Sequence, residues 1–127
     1  MFGNKKDDAD SGSDVDAEVA RLAGLPLREL AAEVMRRGFG ATTSPEWTGR
    51  PGTAAVDSLL TTMIPTAAAL TPSRKQAAYD LIGEGVQQLE HASLVRLTYL
   101  DNIGGRLYTL TRAGQAALAD NTVEQAL

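Results

Sequence analysis

The chain has 127 residues, of which 43% are hydrophobic, enough for one domain around a single modest core. It has no cysteine, which excludes disulfides, a thiol nucleophile and cysteine metal sites. The net charge of −4 sits at one end: residues 1–18 set Lys5 and Lys6 against Asp7, Asp8, Asp10, Asp14, Asp16 and Glu18, and the remainder is neutral. A strongly basic domain, the usual electrostatic footprint of a nucleic-acid binder, is therefore absent, although a local basic patch is compatible with these totals.

Residues 1–14 are polar and rich in Asp, Ser and Gly. They offer too little apolar surface to offset ordering entropy, so a disordered acidic tail is expected, with a folded domain over 15–127. Such a tail either solubilises the chain or competes with DNA for a basic patch. No apolar segment follows the two lysines, so no secretory signal is expected. No stretch reaches the ~20 apolar residues of a membrane span, and a cytoplasmic location is expected.

Val15, Val19 and Leu22 predict a short helix, with Gly24 as its stop. Pro26 suits the first turn of a second helix, Leu27 to Arg37, which places Leu27, Leu30, Ala31, Val34 and Met35 on one face. Gly38 and Gly40 are expected to end it. Ala41 to Gly52 is a loop by composition, and its Trp47 is read as an anchor folded back on the domain or as a partner contact.

Thr53 to Ile64 has helical spacing in Val56, Leu59, Leu60, Met63 and Ile64, and Pro65 is expected to end that helix. Thr71 as cap and Pro72 at the first helical position predict another helix, with Ala78, Leu81, Ile82, Gly85, Val86 and Leu89 facing inward. Gly83 and Gly85 either weaken this helix or break it in two. Leu94 to Leu100 alternates, with Val95, Leu97 and Tyr99 on one face and Arg96 and Thr98 on the other. Asp101 to Gly105 is a turn, Leu107 to Thr111 the return strand, and Thr111 caps a final helix to about Asp120.

Enzymatic chemistry finds no support. His91 is the only histidine and reads as a surface residue at a helix end. With no cysteine and no tight carboxylate cluster, neither a zinc site nor another cofactor is expected. GRPG and IGEG lack the lysine and strand context of a phosphate-binding loop, and a serine triad would have only His91 to recruit.

GVQQLEHASLVRL followed by GGRLYTLTRAGQAAL resembles the end of the recognition helix, the wing strands and the next helix of MarR-like and PadR-like bacterial regulators. Val86, Leu89, Glu90, Leu94 and Val95, then Gly105, Arg106, Tyr108, Leu110, Thr111, Gly114 and Leu118, carry the resemblance over about residues 72–118. It implies a mainly α fold with a small β-hairpin, the winged helix-turn-helix. It also implies a bacterial DNA-binding transcriptional regulator acting as a homodimer on double-stranded DNA. Carried over by position, the DNA contacts are Arg74, Lys75 and Gln76 at the helix start and Arg96 and Arg106 on the hairpin. The alternative is a winged-helix module that binds a protein and no DNA, favoured by the neutral domain, Trp47 and the carboxylates Asp80, Glu84 and Glu90. The arrangement of Arg74, Lys75, Arg96 and Arg106 discriminates: convergence clear of carboxylates favours DNA, and division by Asp80 and Glu84 favours a protein partner.

Overall fold

The computed structural model describes residues 15–41, 53–100 and 106–127. The acidic tail, the loop with Trp47 and the turn at Asp101 to Gly105 lie outside the described residues. Helix α1 spans 15–23. Helix α2, Leu27–Glu33, runs on into a π-helical turn, Val34–Phe39. Strand β1 is Thr53–Ala55 and helix α3 is Val56–Met63. A 3₁₀ turn, Pro65–Ala69, leads to helix α4, Pro72–His91. The strands β2, Val95–Leu100, and β3, Arg106–Leu110, precede α5, Arg112–Asp120, and α6, Val123–Ala126. No described helix is long and apolar enough to cross a membrane. The architecture is mainly helical with one small antiparallel sheet, as expected.

Three local expectations are corrected. The second helix does not stop at Gly38: the π turn carries the chain through Phe39, and the Gly40 amide donates to the Met35 carbonyl at 2.8 Å. The turn buries Val34, Met35, Gly38 and Phe39, so packing outweighs Gly38 as a stop signal, and Gly40 is the cap that ends the helix. Pro26 occupies the cap, with ψ of 149°, and the first helical residue is Leu27. Thr53 to Ala55 is not helical. It pairs with β3 in the register Thr53↔Thr109, Ala54↔Tyr108, Ala55↔Leu107. A segment of three residues has too little pattern to declare a strand, and the partner that makes it one lies 56 residues away.

The sheet order is β1-β3-β2, so β3 is central and Leu107 to Leu110 are all buried. The β2 alternation is interrupted by a register shift between Leu97 and Tyr99, which sets Tyr99 opposite Leu107 and leaves Leu97 38% exposed. Across the sheet the Thr109 hydroxyl hydrogen-bonds with that of Thr53 at 3.0 Å and that of Thr98 at 2.5 Å. Thr109 and Thr53 are buried, so this chain of hydroxyls supplies the partners that buried polar groups require.

Helix α4 is unbroken across both glycines. At Gly85 a Cβ would stand 2.6 Å from Val34 Cγ2, so glycine is what lets α4 lie directly on the end of α2. Around this crossing, Leu30, Ala31, Val34, Met35, Leu59, Ile82, Val86 and Leu89 form the core. The end of α4 turns sharply. Ser93 takes a left-handed conformation (φ 62°), its amide reaches the Glu90 carbonyl at 3.0 Å, and the Leu94 amide reaches Leu89 at 2.9 Å. This C-terminal motif usually carries glycine at the Ser93 position. The Thr111 hydroxyl then donates to the Ser93 carbonyl at 2.6 Å, tying the hairpin's far end to the same corner. Thr111 also caps α5 by accepting from the Gly114 amide at 3.0 Å, as expected.

The two α4 glycines should separate cleanly in thermal melts. Gly83→Ala is expected to stabilise the domain by about 1 kcal/mol. Gly85→Ala should destabilise it by about 1–3 kcal/mol through overpacking against Val34. Equal effects at both positions would contradict the close crossing of α4 and α2.

Candidate functional site

The described basic side chains divide into two groups. Arg21, Arg28, Arg36 and Arg37 are held by structural partners. Arg21 meets Glu18 at 2.6 Å and Glu33 at 3.1 Å, and Arg37 meets the same two carboxylates at 2.9 and 2.8 Å, closing a four-membered ring that fastens α1 to α2. Arg37 also donates to the Met63 carbonyl at 3.1 Å, which adds α3. Arg36 forms an ion pair with Glu124, and Arg28 Nε donates to the Glu124 carbonyl at 2.9 Å, so α6 is strapped to α2. Sequence reasoning had no signal for these partners, because most of them come from different helices.

The ring leaves a titration signature. Hydrogen bonding to Arg21 holds the Glu18 carboxyl far below its ordinary value, at about 2, and the same arginine lowers Glu33. Both shifts favour the charged form in the folded state.

Lys75, Arg96, Arg106 and Arg112 make up the second group, and no ion pair engages them among the described residues. Their positions differ widely. Arg74 lies in the first turn of α4, with its side chain outside the described set. Lys75 is half-buried and lines a small recess of about 90 Å³ with Asp57, Leu60, Thr61 and Ala67. Gln76 is exposed but already donates to Asp80 Oδ1 at 2.8 Å. Arg96 sits opposite Thr109 in the sheet, whereas Arg106 sits opposite Leu100. On β3, Arg106 is three residues from Thr109, so strand alternation places Arg96 and Arg106 on opposite faces of the hairpin, about 10 Å apart along it. The structure therefore does not bring these two arginines together.

The outward face of α4 presents Gln76, Asp80, Glu84 and Gln87, all exposed and recurring at helical spacing. Asp80 and Glu84 form no ion pair among the described residues. One turn to the side, Tyr79 is 39% exposed, and partial burial, helped by the negative charge of Asp57, raises its phenol above the ordinary value. Among the described residues, no group of three His, Asp or Glu side chains is arranged to hold a metal ion.

Comparison with protein-family models, with curated proteins and with solved structures finds no match to this chain.

The ring should make acid stability specific to Glu18 and Glu33. Because their folded-state values are lowered, their contribution is fully present above the ordinary carboxylate value near 4.5 and is lost as pH falls toward 2. Urea midpoints measured between those limits should flatten in Glu18→Gln. Arg37→Met should cost about 2 kcal/mol at neutral pH, since it removes two partly screened pairs and one charged hydrogen bond. An unchanged pH profile in Glu18→Gln would contradict the ring.

Proposed function

We propose that this chain is a winged-helix domain that binds a protein partner through the outward face of α4. The element order supports the winged-helix assignment. A helix, a short strand, a second helix, a long third helix and a two-stranded hairpin follow in sequence, and the short strand pairs with the hairpin's return strand. The observation that carries the functional reading is the composition of the presented face. A helix aimed at a DNA groove meets phosphates, and carboxylates at Asp80 and Glu84 are repelled by them. Gln76 is engaged by Asp80, Lys75 lines a small recess together with Asp57, and Arg96 and Arg106 diverge.

The second reading is a DNA-binding transcriptional regulator acting as a homodimer. It draws on the same element order and on Arg96 and Arg106 at the hairpin, which form no ion pair among the described residues and lie where wing residues of that superfamily touch phosphate or the minor groove. Fluorescence anisotropy on random duplex DNA across a salt series separates the two. No binding is expected at ~50 mM salt, where non-specific contacts are strongest. Micromolar binding that weakens steeply with salt and drops in Arg96→Glu and Arg106→Glu would overturn the protein-binding reading in favour of the regulator.

A further inference from the structure

Gly83 has no reason within the fold to be glycine. It lies inside a continuous helix, where glycine is disfavoured, and a Cβ there would meet nothing within 4 Å. Two residues on, Gly85 is required by Val34, so the neighbouring glycines differ in kind. On the helical surface, the neighbours of Gly83 are Tyr79 and Asp80 one turn before and Gln87 one turn after, with Glu90 a further turn along. Tyr79 is one of three large hydrophobic side chains exposed among the described residues, and Asp80, Gln87 and Glu90 are all exposed.

Gly83 thus leaves a gap in an acidic helix face, with the exposed Tyr79 one turn before it. We infer that it receives a basic amphipathic helix: an apolar side chain of the partner enters the gap at Gly83 against the Tyr79 ring, and lysines or arginines flank it to meet Asp80 and Glu90. The inference rests on the protein-binding reading of α4 and specifies the partner's chemistry. Charge complementarity selects the sign of the partner, since Asp80, Glu84 and Glu90 on this face form no ion pair among the described residues. The missing side chain selects a close-packed element. Exposed aromatic rings beside small gaps are the usual anchors of such contacts.

The test uses the full chain and a synthetic helical peptide of about 20 residues, with lysines on one face and leucine and alanine on the other. A scrambled peptide of identical composition serves as control. Binding is followed by anisotropy and mapped by backbone amide shifts. The expected result is salt-sensitive binding of the amphipathic peptide, at least tenfold tighter than the scrambled one, with shifts centred on residues 79–90. Gly83→Leu and Tyr79→Ala should each weaken it at least tenfold, and Asp80→Lys more. Gly83→Ala guards against misfolding: it should raise the melting temperature by about 4 °C while weakening the peptide. Equal binding of both peptides, shifts on another surface, indifference to Gly83→Leu or no binding at all would overturn the inference. Each of these leaves the protein-binding reading standing, which fails separately if duplex DNA binds as described above.

Discussion

The approach of α4 to α2 at Gly85 is the constraint on which the rest of the structure depends. With Val34 Cγ2 2.6 Å from where a Cβ would be, no side chain fits at this position while α4 lies against the end of α2. The rotation of α4 in this packing sets the division between the inward stripe of Ala78, Ile82, Val86 and Leu89 and the outward stripe of Gln76, Asp80, Glu84 and Gln87. The left-handed turn at Ser93 transmits that orientation to the hairpin, because the Thr111 side chain and backbone both bond to this corner.

The arginines reveal how charge is spent. Half-buried ion pairs contribute modestly one at a time, but a closed ring shares each guanidinium between two carboxylates and fixes side chains that would otherwise lose entropy separately. The ring joins α1 to α2, and Glu124 joins α6 to α2, so chain ends that are distant in sequence are drawn onto one helix. Arginines committed in this way cannot also serve a phosphate backbone. Residues 19–127 are neutral overall, but the outward face of α4 carries Asp80 and Glu84. Asp80 and Glu84 on the α4 face form no ion pair among the described residues, while Arg21, Arg36 and Arg37 are paired with carboxylates of other elements.

Much of the architecture was legible in the residues. The inward stripe of α4 is readable from apolar spacing, the two hairpin strands from alternation, and the α5 cap from Thr111. The candidate site was only half legible. The carboxylates on the outward face of α4 follow from helical periodicity. That Gln76 is bonded to Asp80, that Lys75 lines a recess together with Asp57, and that Arg96 and Arg106 face apart do not. The last depends on the β2 and β3 register, which local composition does not specify.

Sequence alone determined the elements whose signals are local: helical periodicity, proline at a first turn, a threonine cap, and a chain without cysteine. Tertiary structure decided the features that need a distant partner. Strand β1 exists because β3, 56 residues away, accepts it as a neighbour. The π turn forms because burying Met35 and Phe39 outweighs Gly38, which would otherwise stop the helix before its end at Gly40. The two glycines of α4 look alike in the sequence and differ only because Val34 stands behind one and open space lies beyond the other. Local free energies select the secondary structure, but only the packed chain decides which side chains are used up and which remain for a partner.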